Sequence, residues 1–316
     1  MPTIERDKIA PSLRRYFLAL KRNIAGRAPA KPAVMKALEV AAEPGGTFRG
    51  SLPSPLSVHA FTCKTEGIAG LMEGRLEALD LLYQSVYYDA AYLYCQGTHY
   101  MVNKEYGVTS TLIDFRQVAL LLANALTLGC WAEADRIAEM ARACLSETRI
   151  DRANDNQIAY AFYAIHVTRV APFILSLYAL WSEKPFPLEG LPLQPMQEYE
   201  ILLSLWQTED ISVLEKVLLD ACDAHVKQSK FTQVDVVEFE RPVDILYPVE
   251  ILAVLRLREA TGLANPILDH PLMKTPVGRL YEIKSVPHEP VMDRVVEKQM
   301  LAIPSLCQTN SVATRK

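Results

Sequence analysis

A chain of 316 residues with 50% hydrophobic and 22% charged side chains can bury a sizeable core, which excludes global disorder. Its formal net charge is −4, and no Lys/Arg cluster marks a nucleic-acid-binding face, so no nucleic-acid partner is expected. The six cysteines are scattered without a C-x-x-C pair and read as buried free thiols of a reducing compartment, which points to a cytoplasmic protein. The opening residues lack an apolar run before a small-residue cleavage site, so no signal peptide is expected.

In chain order, residues 4–26 carry Ile4, Ile9, Leu13, Tyr16, Phe17, Leu20 and Ile24 at helical spacing among many basic residues. This predicts an amphipathic helix, with Pro11 near its start or a kink. Residues 31–43 form a second short helix, and PGG at 44–46 stops it. The Gly/Pro/Ser-rich stretch 44–57 is a loop and the first boundary, leaving 1–45 as a helical arm. A helix is expected over 66–96, with Tyr83, Tyr87, Tyr88, Tyr92 and Tyr94 as core aromatics whose hydroxyls reach the rim. Gly97 to Gly107 then connects.

Residues 115–145 are two helices back to back. Val118, Leu121, Leu122, Ala125 and Leu126 make one apolar stripe, and Gly129 sits where a helix would end. Trp131, Ala134, Ala138, Ala141 and Leu145 make the second stripe. The result is a helical hairpin, and its second helix bears Glu133, Asp135, Arg136, Glu139 and Arg142 on a face expected to be solvated. Residues 156–182 predict a helix apolar almost all round, kinked at Pro172, on which the hairpin packs. Its apolar run could span a bilayer, but Arg169 at mid-bilayer would cost about 2.5–3.5 kcal/mol. A buried core helix is therefore expected, without membrane insertion.

Four prolines in 183–195 end all helix and divide the main body into two portions. Helices follow at 196–207 and 211–228, separated by TED at 208–210. Residues 231–239 are a minor extended segment, a strand or a loop. A helix follows Pro248 and ends at Gly262, and an ordered non-helical wrap succeeds it. The body spans 58–285, and 286–316 is a C-terminal extension frayed from about 302. The fold class is all-α: an irregular bundle or array of antiparallel helical hairpins, without the steady period of a solenoid.

Chemistry-bearing motifs are sparse. No G-x-G-x-x-G, P-loop, H-E-x-x-H or G-x-S-x-G occurs, and no cofactor or metal is implied. Cys95 and His99 lie four apart, short of the three or four ligands a metal needs. Asp220, Cys222, Asp223 and His225 read as a solvated helix face. Asp269 and His270 could form an acid–base pair in a cleft, although a turn cap and a locally packed histidine is the plainer reading. Buried arginine near aspartate, Arg256 and Asp244, reads as fold-organising.

The run PVDILYPVEILAVLRLREATGL at 242–263, preceded by tandem helices with the L-G-x-W break at 128–131, resembles the immunity 49 family of bacterial polymorphic-toxin systems. The resemblance covers about residues 66–265. It implies a non-enzymatic protein that binds and blocks one cognate protein toxin, such as an effector of type VI secretion. Glu133, Asp135, Arg136, Glu139 and Arg142 would then form the partner-binding surface. The alternative is a helical interaction or regulatory scaffold, also without enzymatic activity. The sequence leaves open the toxin's chemistry, the oligomeric state and any role of Asp269 and His270 beyond structure.

Overall fold

The structure is a computed structural model and describes residues 9–25, 31–43, 53–105, 113–150, 168–191, 193–229, 238–286 and 288–301. Among them it holds twelve α-helices and no strand, so the all-α class is what the chain adopts. Of the expected extended segment, residues 231–237 lie outside the described residues, and 238–239 are not strand.

The organising helix is α5 (Phe115–Leu128). Asp114 caps its start, its carboxylate accepting from the N–H groups of Arg116 (3.0 Å) and Gln117 (3.3 Å). Gly129 ends it at φ 70°, a left-handed conformation open to glycine at little cost. That turn lets Cys130 N–H reach Ala125 O (2.9 Å) and Gly129 N–H reach Leu126 O (3.0 Å), which satisfies two terminal carbonyls. Every residue of α5 except Gln117 is buried. Each of its five leucines therefore contributes about 2 kcal/mol of burial.

The hairpin partner is α6 (Trp131–Ile150), as expected. α5 also packs against α4 (Leu79–Glu105), α7 (Val170–Ser182) and α11 (Val249–Ala260). Among the described helices α5 holds the central position, and α7, the described part of the apolar stretch at 156–182, packs on it as expected. Only Val170–Ser182 of that stretch is described as helix, and 151–167 lie outside the described residues. Pro172 does not kink it. It stands in the first turn, where an absent N–H breaks no helical bond.

The expected helix at 66–96 is two helices. α3 (Pro53–Met72) turns back through a short 3-10 turn at Leu76–Ala78 into α4. Gly74 adopts φ 83°, and the chain returns so closely that a Cβ on Gly70 would stand 2.3 Å from that of Ala78. A side chain there would force the two helices apart. α3 also begins inside the expected loop, since Pro53 and Pro55 suit a first turn, and α4 runs through Gly97 to Glu105. Tyr83, Tyr87, Tyr88 and Tyr94 are core, but their burial is deeper than a rim. Tyr83 donates to Leu128 O (2.9 Å) and Tyr87 to Asp293 (2.8 Å).

The remaining helices are α1 (Ile9–Ala25), α2 (Lys31–Ala42), α8 (Glu198–Leu205), α9 (Ile211–Gln228), α10 (Pro242–Leu246) and α12 (Pro290–Leu301). α8 and α9 form a second hairpin. Asp210 caps α9 through Ser212 N–H (3.0 Å) and Val213 N–H (3.1 Å). α1 packs on α3 and α10, and α12 on α2 and α4. Leu13, Leu38 and Met292 enter the same apolar core as α5. Among the described residues no helix is long and apolar enough to cross a membrane.

Candidate functional site

Three helices present one face each to a common recess. Ser57, Phe61 and Lys64 lie on α3 at spacings of four and three. Asp89, Tyr92, Leu93 and Gln96 lie on α4, and Asp114, Gln117, Val118 and Leu121 follow the same spacing from the cap of α5. With Arg241 they enclose a cavity of about 260 Å³. Leu93, Val118 and Leu121 supply apolar wall, and the rest is polar or aromatic.

The segment 238–246 clasps this region. Glu238 accepts from the N–H groups of Arg169 (2.6 Å) and Val170 (3.3 Å) at the start of α7. Burial pushes its carboxyl up to about 7 against those two bonds. Glu240 pairs with Arg116 at 2.8 Å, and Arg116 also lies 3.6 Å from Asp114. Asp244 pairs with Lys64 at 2.8 Å, with both side chains nearly buried. The Arg241 guanidinium lies 5.1 Å from the centroid of Phe61.

Two charges of the recess stand outside this pairing. No hydrogen bond or ion pair among the described residues reaches Asp89 or the Arg241 guanidinium. Burial raises the Asp89 carboxyl to about 6, although Lys64 and Arg241 pull the other way. Burial also raises the Tyr92 phenol beside it. The arrangement has the chemistry of recognition: opposite charges, amides and an apolar wall in one recess.

The charged face of α6 is not the open surface expected. Glu133 is only 4% exposed. Asp135 accepts from the Tyr178 hydroxyl of α7. Arg142 donates to Pro185 O (3.2 Å) and Lys184 O (3.3 Å), with its guanidinium 4.7 Å over Phe186. Glu139 is half-buried, and burial raises its pKa. Arg136 alone of the five is exposed. The end of α7 and the proline-rich strap behind it cover this face, because Arg142 has two backbone carbonyls and two aromatic rings to bind there.

The other polar groups also find structural places. His225, expected at the surface, is fully buried. Its Nδ1 donates to Glu250 (2.7 Å) and its Nε2 to Ile245 O (3.0 Å), and its ring stacks on Phe239 at 4.0 Å. Burial alone would lower its pKa, but Glu250 outweighs that and holds it above the usual value. Asp269 is exposed beside Lys274, whereas buried His270 accepts from Leu272 N–H (3.2 Å) and donates to Asp223 (3.1 Å). Arg256 turns from Asp244 to Thr127 O (3.0 Å) at the end of α5. Cys95 is buried, and the side chain of His99 lies outside the described residues. Among the described residues no three His, Cys, Asp or Glu side chains converge on a metal position.

A second feature lies where the α8–α9 turn meets the wrap after α11. Buried Arg258 joins them, donating to Trp206 O (2.5 Å), Thr208 O (3.0 Å) and Ala264 O (2.5 Å). Asn265 donates to Leu255 O at 2.9 Å, and Leu268 and His270 are buried. Between these anchors Ile267 is 93% exposed. Ile201 of α8 and Val213 of α9 are also exposed. The spacing of these residues in the sequence marks none of them.

No protein-family model, no curated protein and no solved structure matches the chain.

Proposed function

We propose that this chain works by binding and not by catalysis, and that it neutralises a cognate bacterial toxin in the cytoplasm by covering it. The observation that carries the binding reading is Ile267, an isoleucine 93% exposed on a loop pinned on both sides. An apolar side chain held rigidly in water loses little freedom on association, as an interface anchor does. Ile201 and Val213 supply further apolar surface on the neighbouring hairpin. The toxin as partner comes from the likeness of the 242–263 and 128–131 runs to the immunity 49 family.

The test is co-expression with the toxin domain encoded next to this gene. Wild-type protein restores growth, and Ile267→Asp lowers affinity for the purified toxin by about thirtyfold, the scale of an anchor residue. Failure of the wild type to rescue growth sinks the toxin reading. Full affinity of Ile267→Asp removes this edge from the interface. Recovery of a host complex without the toxin would favour the helical-scaffold alternative.

A further inference from the structure

We propose that the recess between α3, α4 and α5 binds a small zwitterion of the amino-acid class, its ammonium on Asp89 and its carboxylate on Arg241. This does not depend on a toxin partner.

The first support is a contrast in pairing. Around the recess Lys64 is matched by Asp244, and Arg116 by Glu240 and Asp114. Asp89 and Arg241 have no such match among the described residues, and they do not pair with each other. Arg241 is held against Phe61, immediately before Pro242 opens α10, while Asp89 is carried on α4. Two unmatched charges of opposite sign facing one cavity suit a ligand that carries both signs. Guanidinium and carboxylate fit as a planar fork, so Arg241 takes the carboxylate end.

The second support is size and lining. About 260 Å³ lies below the usual range of drug-sized pockets and takes a molecule of about ten heavy atoms, not a folded peptide. Leu93, Val118 and Leu121 offer a wall for an apolar side chain. An unmatched carboxylate is also costly to keep charged there, which is why its pKa reaches about 6. An arriving ammonium restores the charged form. The titratable groups around Asp89 are Lys64 of α3, Tyr92 of α4, Asp114 at the cap of α5, and Arg241 and Asp244 of the clasp. None is a histidine, so Asp89 sets the pH response. Affinity falls about tenfold from pH 7 to pH 5 as that carboxylate takes up its proton.

The experiment is a thermal-shift screen of the full chain against the free amino acids at 10 mM (~100-fold over a 0.1 mM Kd), each compared with its N-acetyl and its amide form. A free amino acid with an apolar side chain should raise the melting temperature by about 4 °C when it is in hundredfold excess over its Kd. Neither capped form should do so. Calorimetry should then show the pH response in the wild type and no binding by Asp89→Asn or Arg241→Gln. Because Asn is isosteric with Asp, Asp89→Asn tests the site even if Arg241→Gln does not fold. No shift with any free amino acid overturns the proposal. Equal binding of a capped form, or wild-type affinity in Asp89→Asn, overturns it too.

Discussion

Two ionic regions of this molecule differ in one respect that decides what each can do. Under α9 and α11, His225, Glu250 and Arg258 have no exposure, and each is held by groups of its own chain. Between α3, α4 and α5, Asp89 and Arg241 face a cavity without a matching charge among the described residues. The first region closes the fold, because His225, Arg258 and one carboxylate oxygen of Glu250 meet partners at hydrogen-bond distance, while Glu250 Oε2 is buried without one among the described residues. The second has capacity left over. A charge matched inside the protein fixes structure, and a charge left unmatched in a recess is available to a ligand.

The largest effect should come from breaking the closed region. Glu250→Leu strands the buried His225 charge and should cost about 4 kcal/mol in urea denaturation. Adding His225→Leu should recover most of that loss, since an apolar pair needs no charge compensation. A loss under about 1 kcal/mol in the single variant would show that the pair is not ionised. Arg258→Met removes the donors of three carbonyls that tie the α8–α9 turn to the wrap. It should cost about 3 kcal/mol, read from the same denaturation curves.

The dependence on pH compares the two regions in one measurement. His225 in the closed region binds its proton more tightly folded than unfolded, and so do Asp89 in the recess and Glu238 in the clasp. Stability from the two carboxyls is lost as pH rises from about 4 through about 6 for Asp89 and about 7 for Glu238. That from His225 is lost as pH rises through its elevated pKa. His59, whose pKa burial lowers, acts the other way below its usual value. The melting temperature should therefore fall by about 5 °C between pH 5.5 and pH 8. A rise over that range would contradict the assignment of all three groups.

The smallest effect should be Asp89→Asn. Removing an unmatched charge leaves the chain within about 1 kcal/mol of wild type at pH 7.5, on the stabilising side. If it destabilised the chain like Glu250→Leu, the recess would be part of the closed core.

Much of the helical framework was legible because its signals are local. Gly129, Asp210, Pro248 and Gly262 each act within a few residues, and the structure uses all four at helix ends. The fold-back at Gly74 was missed because apolar spacing continues across it, and its cause is the approach of Ala78 to Gly70. The recess was also missed. The runs at 57–64, 89–96 and 114–121 have the spacing of any packed helix face, and only the third dimension turns them toward one another with Arg241.

By itself the sequence determined the all-α class and the hairpin around Gly129, since periodicity and capping act through the backbone over a few residues. The tertiary structure alone decided which charges are matched. Glu240 reaches Arg116, Asp244 reaches Lys64, and Asp89 reaches none among the described residues, because desolvation and pairing depend on which distant helices meet.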